Sequence, residues 1–165
     1  MQTFTGGMFW PMDPRVEDVR IEDIAHSLAM QCRYAGHCLN FYSVAEHCCL
    51  LHDYAPEPLK KWALLHDASE AYLVDVPRPL KPFLTGYKAA EDRVMQVIQE
   101  KFNLGDMPDA IKEMDNGILA DEQAWNMAPP PREWKTGKRL GVKLGFWSSH
   151  RAEHEFLKRA ELYGC

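Results

Sequence analysis

Apolar residues recur every three or four positions along most of the chain, which is the repeat of one face of an α-helix. This pattern predicts helices over about 21–32, 43–53, 58–73, 87–102 and 108–126, and a last helix from Phe146 or Ser149 to about Tyr163. Residues 1–14 lack the repeat and carry Gly6-Gly7, Pro11 and Pro14, so we expect an irregular N-terminal arm, with a short hairpin as an alternative. The predicted fold is a compact all-α bundle of about six helices, in a single domain that spans residues 1–165.

The start of the second predicted helix has the pattern of a capping box, Ser43-Val44-Ala45-Glu46. In such a box the Ser43 hydroxyl accepts a hydrogen bond from the amide three residues on, and the Glu46 side chain reaches back to the first amide. His47 then falls in the first turns of this helix, on the face that also carries Val44 and Leu51. We therefore expect the His47 side chain to point into the core.

Composition and charge narrow the range of functions. Apolar residues make up 46% of the 165 positions and charged residues 26%, as in an ordinary globular domain. The net charge of −5 argues against sequence-independent binding to a nucleic acid polymer. No run of about 18 apolar residues predicts a membrane span, and the first residues lack the features of a signal peptide. We expect a cytoplasmic protein whose five cysteines, none in a Cys-x-x-Cys pair, are free thiols.

Four ionisable residues occupy helical positions where an apolar side chain is expected. They come from three predicted helices and are His47, His66, Asp67 and Asp115. Burying such groups costs several kcal/mol unless something pairs with them. Two imidazoles and two carboxylates suit Mn, Fe, Co, Ni or Zn better than Mg or Ca. The pattern predicts a metal site between helices; a buried polar network without metal is the alternative.

Two further carboxylates follow this cluster in the sequence. Mixed sites with carboxylate ligands often leave a position open for water, which the metal acidifies while it polarises a phosphoryl oxygen. Glu70 lies one turn after His66, where it can orient that water or move its proton. Asp75 is a second candidate for this role, or a partner for a sugar hydroxyl.

Three cations are candidate phosphate ligands, namely Arg33, Lys81 and Lys112. An arginine offers a bidentate grip on phosphate, and a lysine offers a point charge. For each of them the alternative is a solvated surface charge. The basic residues within 132–145 stand among glycines and predict a surface loop.

The longer string His66-Asp67-Ala68-Ser69-Glu70-x4-Asp75-x-Pro77-x-Pro79-x-Lys81, with Ser43–His47 upstream, resembles the HD-domain phosphohydrolase superfamily. The H…HD…D ligand set of that family matches His47, His66-Asp67 and Asp115. The resemblance covers residues 20–126 and is strongest to bacterial 5′-deoxynucleotidases and their phage relatives. In those relatives an Arg followed by an aromatic residue precedes the first ligand His by about fourteen residues, and Arg33-Tyr34 fits that place.

The resemblance implies that Arg33 binds phosphate and that Tyr34, where many relatives carry Trp, packs on the deoxyribose. It further implies a hydrolase that uses a divalent transition metal (Zn, Co or Mn), a small deoxynucleotide substrate and a homo-oligomeric assembly, in the host cytoplasm if the gene belongs to a phage. The compact phage enzymes that cleave dATP to deoxyadenosine and triphosphate are the most similar subgroup, since the chain is short and has Lys81 and Lys112. A 5′-deoxynucleotidase that releases orthophosphate is one alternative, and a non-catalytic nucleotide-binding HD module is another.

Overall fold

The protein is all-helical in a computed structural model that describes residues 1–132 and 134–165, which confirms the predicted fold class. Glu133, in the predicted loop at 132–145, lies outside the described residues. The described residues form seven α-helical segments: α1 (Ile21–Met30), α2 (Val44–Tyr54), α3 (Lys60–Leu65), α4 (Glu70–Leu73), α5 (Tyr87–Phe102), α6 (Asp109–Asn126) and α7 (Ser149–Glu161). In these ranges the extended pairing is limited to two isolated bridges, one of which, Gln2 with Met8, closes a short turn in the N-terminal arm.

The core consists of two apolar clusters, and helices α2 and α3 contribute buried residues to both of them. In the larger cluster Leu28, Val44 and Leu64 pack with the inner faces of α5 and α7. In the smaller cluster Trp62 of α3 packs with Ile118 of α6. Because α2, α3 and α6 pack through buried side chains, polar residues on their inner faces are brought together where they are largely shielded from bulk water. Among the helices of the described residues, none has the length and apolar character that crossing a bilayer requires.

The predicted helix over 58–73 is not continuous, and this prediction was wrong in one respect. Helix α3 ends at Leu65 and α4 begins at Glu70, with four turn residues between them. In this turn the amide of Ala68 donates to Leu65 O (3.0 Å) and the amide of Glu70 donates to Asp67 O (2.9 Å), which are bonds to the third residue back. The path is therefore tightened into a 3₁₀ turn, a local form that is often found at functional sites.

The predicted capping box at Ser43 is half correct. The Ser43 hydroxyl accepts from the Glu46 amide at 3.1 Å, as expected for an N-cap. The Glu46 carboxylate, however, accepts hydrogen bonds from three backbone amides about a hundred residues away, those of Gly145, Phe146 and Trp147, at 2.7–2.9 Å. These three amides have no backbone acceptor among the described residues, and the Glu46 carboxylate supplies one. The carboxylate therefore stabilises this distant loop and does not cap the helix.

A stretch without regular structure, residues 134–148, leads from the end of α6 back to α7, and we call it the return segment. It crosses α6 at Gly117, where the amide of Gly137 donates to Asn116 O at 2.9 Å. A Cβ atom at Gly117 would lie 2.5 Å from Leu140 Cδ2 and 2.9 Å from Lys138 O. Only glycine permits this close crossing, which offsets the roughly 1 kcal/mol that a helical glycine costs.

Candidate metal centre

Four side chains from three regions of the chain converge between α2, α3 and α6. His47 lies on α2 and is fully buried, His66 and Asp67 are the first two residues of the tightened turn after α3, and Asp115 lies on α6. His47 Nε2 is 3.2 Å from His66 Nε2, 3.5 Å from Asp67 Oδ2 and 3.4 Å from Asp115 Oδ1. His66 Nε2 is 3.2 Å from Asp67 Oδ2 and 4.0 Å from Asp115 Oδ1.

These separations match the requirements of one shared cation. With bonds of about 2.0–2.2 Å to nitrogen and oxygen, the ligand atoms around a single ion lie about 3–3.5 Å from each other. The donor atoms of His47, His66 and Asp67 all lie within 4.8 Å of one another. These three residues therefore fit a divalent transition metal, and Asp115, whose Oδ1 lies 3.4 Å from His47 Nε2 and 4.0 Å from His66 Nε2, stands beside them as the candidate fourth ligand.

The hydrogen bonds of the two imidazoles strengthen this fit. His66 Nδ1 donates to the backbone oxygen of Ala63 at 2.8 Å, and His47 Nδ1 donates to the carboxylate of Glu122 at 2.6 Å. Each ring then carries its proton on Nδ1, so that both Nε2 atoms present lone pairs to each other across 3.2 Å. Such an arrangement requires a positive charge between the rings, either an extra proton or a metal ion.

The electrostatics of the cluster favour ionised carboxylates. Burial by itself would raise the pKa of Asp67, but the charge of His66 and its hydrogen bond outweigh burial and hold that pKa well below its usual range. Burial likewise opposes ionisation of Asp115, yet the contacts with His47 lower its pKa to about 2. Two negative oxygens thus face two imidazole nitrogens, which is the charge pattern that attracts a cation.

The two candidate catalytic carboxylates stand beside this centre. Glu70 is buried, and its Oε2 has no hydrogen-bond partner among the described residues, while its Oε1 lies 3.7 Å from Lys81 Nζ. Burial first, and then the negative charges of Asp67 and Asp75, raise the pKa of Glu70 well above its usual range. Burial also raises the pKa of Asp75, whose amide donates to Gln31 at 2.9 Å. A carboxyl group whose pKa is raised in this way keeps its proton to a higher pH than a free carboxyl group does, which suits a group that passes a proton.

The three candidate phosphate ligands lie at different distances from the centre. Arg33 Nη1 is 3.5 Å from Asp67 Oδ2, and its Nε is buried without a partner among the described residues. Lys81 is held by Glu91 at 2.9 Å and sits beside Glu70. Lys112 is largely exposed and pairs with Asp109 of its own helix at 3.3 Å. Arg33 is therefore built into the site, whereas Lys112 stands at its edge.

Arg33 and Tyr34 are held in a turn with unusual backbone angles. Tyr34 (φ 57°, ψ 30°) and Ala35 (φ 51°, ψ 31°) are both left-handed, and Gly36 continues the turn with φ 78°. A non-glycine residue in this region costs about 1–3 kcal/mol, and it persists when the surroundings over-determine it. Here the Tyr34 hydroxyl donates to the buried carboxylate of Glu122, which supplies such a constraint.

Two functional neighbours escaped the sequence analysis, Glu122 and Arg78. Glu122 is fully buried and lies seven residues, or about two turns, after Asp115 on α6. This spacing places both residues on the same face of the helix, so the helical repeat could have predicted Glu122 as a neighbour of the site. Arg78 donates to Asp115 Oδ2 at 2.6 Å from the proline-rich turn after α4. Arg78 lies between Pro77 and Pro79, outside any helix, so helical spacing could not have predicted its contact with Asp115.

A cavity of about 220 Å³ opens beside the centre, between the tightened turn, α5 and α6. Its walls include carboxylates of the cluster and two exposed lysines at the rim, and the lining contains His66, Asp67, Glu70, Asp115, Lys88 and Lys112. This volume is smaller than the 300–1,000 Å³ or so that whole drug-sized ligands occupy, so it suits a small charged group.

Comparison with known proteins places the chain in a family. It is 42% identical over 124 residues, which are 74% of this chain and 70% of the relative, to the uncharacterized protein YfdR of Escherichia coli K12. The chain belongs to the family of YfdR. It is also 38% identical over 103 residues to the uncharacterized protein RCAP_rcc00048 of Rhodobacter capsulatus, and this match spans 56% of the chain and about half, 53%, of that relative. No family model matches the chain.

Proposed function

We propose that this chain is an HD-domain, metal-dependent hydrolase of 2′-deoxynucleotides, with dATP as its best substrate and deoxyadenosine and triphosphate as products. The observation that carries the proposal is the pair of buried Nε2 atoms, His47 and His66, which face each other at 3.2 Å with two carboxylates beside them. No other group of the described residues offers the same convergence of imidazole and carboxylate ligands.

His47, His66, Asp67 and Asp115 would hold a divalent metal such as Zn, Co or Mn. When bound, that metal supplies Lewis acidity toward a phosphoryl oxygen and lowers the pKa of water. Arg33, beside Asp67, neutralises the nearest phosphate and orients it. Glu70, with its free Oε2, takes or returns the proton of the attacking water.

The cations around the cavity favour a polyphosphate over a monophosphate. Arg33 lies beside Asp67, Lys88 and Lys112 line the cavity, and Arg78 donates to Asp115. Lys88, Lys112 and Arg78 are paired with carboxylates, and the phosphates of a triphosphate, whose charge exceeds that of a single phosphate, would take the place of those partners. We place this activity in the cytoplasm, where the five unbonded thiols stay reduced, and expect a homo-oligomer.

The test is a product analysis with purified protein, stripped with a chelator and reloaded with Mn, Co or Zn. Each nucleoside monophosphate and triphosphate is supplied separately, and anion-exchange chromatography identifies the products. We expect dATP to give deoxyadenosine and triphosphate in equal amounts, without orthophosphate. Orthophosphate from deoxynucleoside monophosphates would establish the 5′-deoxynucleotidase alternative instead.

The variant Glu70→Gln separates an enzyme from a binding module. General acid–base catalysis contributes about 10²–10⁴-fold, so turnover should fall by that factor while metal content stays the same. The matched control is Glu91→Gln, at another carboxylate of the same cavity that pairs with Lys81. Nucleotide binding without turnover in the unaltered protein would favour the non-catalytic module.

A further inference from the structure

Glu122 of α6 was not predicted as a site residue, yet it contacts three side chains of the site. Its carboxylate is fully buried, and it meets three side chains that come from two other parts of the chain. His47 Nδ1 lies 2.6 Å from Oε1, Arg33 Nη2 lies 3.3 Å from Oε2, and the Tyr34 hydroxyl also donates to Oε2. One carboxylate therefore touches both the metal-binding group and the candidate substrate-binding turn.

The contact with His47 decides which ring nitrogen carries the proton. A carboxylate accepts hydrogen bonds and cannot donate them, so Nδ1 of His47 must hold the hydrogen. The Arg33 guanidinium lies 3.3 Å from Oε2 and the Tyr34 hydroxyl donates to the same oxygen, so the charge and the donors around Glu122 are those of a carboxylate. With Nδ1 protonated, Nε2 directs its lone pair toward His66 and Asp67.

The other carboxylate oxygen holds the left-handed turn. Arg33 and Tyr34 both bond to Oε2, and Tyr34 and the following Ala35 have positive φ angles. Removing the carboxylate would take away one of the two anionic partners of the buried Arg33 guanidinium, leave Asp67 as the other, and free the turn to relax. The position of Arg33 next to Asp67 thus depends in part on Glu122.

We propose that Glu122 is a positioning residue that fixes the Nδ1–H tautomer of His47 for metal binding and, through its second oxygen, holds Arg33 and Tyr34 at the same site. The metal half of this inference rests on the proposed function; the tautomer half does not. Carboxylates that orient metal-binding imidazoles in this way typically change metal affinity by about 10- to 100-fold when removed.

The first measurement needs no metal, and a variant serves only to assign the resonance. In ¹⁵N-histidine-labelled, metal-free protein, long-range ¹H–¹⁵N correlation spectra report which nitrogen of His47 is protonated, with the resonance assigned by a His47→Gln sample. Above the pH at which the ring loses its first proton, we expect the hydrogen to remain on Nδ1. A neutral His47 with its hydrogen on Nε2 would overturn the proposal, whatever the protein hydrolyses.

The second measurement compares metal affinity in Glu122→Ala, Glu122→Gln and unaltered protein, by competition of Zn and Co with a chromophoric chelator. We expect the dissociation constant to rise by about 10- to 100-fold in Glu122→Ala. Glu122→Gln keeps an acceptor for His47 but cannot pair with the Arg33 charge, so it should largely restore metal affinity while the KM for dATP stays raised. Equal affinity in all three proteins, or equal loss in both variants, would overturn the positioning role.

The matched control is Asp121→Asn, because Asp121 is the next residue on α6, is equally buried and has no contact with the site. We expect it to lower the free energy of unfolding and to leave metal affinity and the His47 tautomer unchanged. A loss of metal affinity in this control as large as in Glu122→Ala would show that Glu122 acts through general stability. If no protein binds metal while His47 keeps its hydrogen on Nδ1, the proposed function fails and the tautomer role stands.

Discussion

Asp121 and Glu122 are neighbours on α6, and both are fully buried, yet they serve two different regions of the molecule. Asp121 accepts hydrogen bonds from the backbone amides of Leu140, Gly141 and Val142 at 2.9–3.2 Å, and so holds the return segment. Glu122 binds the ring nitrogen of His47 and the side chains of the left-handed turn. Both side chains are carboxylates and both are fully buried, so their hydrogen-bond partners distinguish the structural carboxylate from the one that belongs to the site.

Glu46 extends this comparison to a second element. It is a buried carboxylate on α2, one residue before the candidate ligand His47, and its three partners are amides of the return segment. Each of α2 and α6 therefore carries adjacent residues with opposite tasks. Successive residues on a helix point about 100° apart, so one faces the return segment while the next faces the site.

The largest expected effect is at the site itself. Replacing His66 by alanine removes one of two imidazoles, and we expect the proposed hydrolysis to fall by more than about 10³-fold, because a metal held there would contribute several kcal/mol to transition-state stabilisation. Turnover and metal content by atomic emission check this prediction. The control is His154→Gln, at an exposed position on α7. Unchanged turnover in His66→Ala with full metal content would rule out the centre as the catalytic site.

The second effect belongs to the return segment. Glu46→Ala removes the acceptor of three backbone amides, of which that of Trp147 is buried, and an unsatisfied buried group costs about 1–3 kcal/mol. We expect the free energy of unfolding, measured in urea, to fall by about 2–3 kcal/mol, with zinc affinity changed less than about threefold. If Glu46→Ala instead lost much of its zinc affinity and kept its stability, carboxylates that hold the return segment could not be distinguished from those that serve the site.

The third effect tests the crossing of the return segment over α6. Gly117→Ala places a Cβ atom against Lys138 O and Leu140, so overpacking of about 1–3 kcal/mol should exceed the roughly 1 kcal/mol gained in helix propensity. We expect lower stability in thermal unfolding. Ala124→Gly, at an exposed position on the same helix, measures the propensity contribution alone. A more stable Gly117→Ala protein would show that the segment does not lie against the helix.

The smallest effect concerns a carboxylate that is half exposed, Asp53 at the end of α2. Arg159 grips it with bonds of 2.9 and 2.6 Å. Burial opposes ionisation, but the bonds from Arg159 and His52 lower the pKa of Asp53 below its ordinary value. The folded state therefore binds this proton less tightly than the unfolded state. The contribution of the Asp53–Arg159 pair to the free energy of unfolding is complete above the ordinary aspartate pKa. It is lost as the pH falls through the folded-state pKa of Asp53.

Since this pair is solvent-exposed, its contribution is about 1 kcal/mol or less. In Asp53→Asn, the free energy of unfolding should lack the pH dependence that this pair causes below about pH 4. Below the folded-state pKa of Asp53 the pair contributes nothing, so the variant and the unaltered protein should be nearly equally stable there. Urea unfolding at several pH values provides the measurement. An effect as large as that of Glu46→Ala would mean that exposure does not separate the two kinds of carboxylate.

Most helices of this protein could be predicted because their apolar repeat is strong. The stripe Val94, Ile98 and Phe102 on α5 is buried as the repeat requires, and α6 ends at the predicted Asn126. The break after Leu65 could not be predicted, because the residues of the tightened turn have the same helical pattern as their neighbours. The hydrogen bonds of this turn, which join each amide to the carbonyl three residues earlier, accompany the packing of His66 against His47 of α2.

The sequence by itself determined the all-helical class, the inward direction of His47 and the set of candidate ligands, because these follow from local periodicity. The tertiary structure alone decided which carboxylates serve the backbone and which serve the site. Glu46 and Glu122 look alike in the chain, and their partners lie 75 to 101 residues away. Contacts over such distances result from how the helices pack, which no local pattern contains.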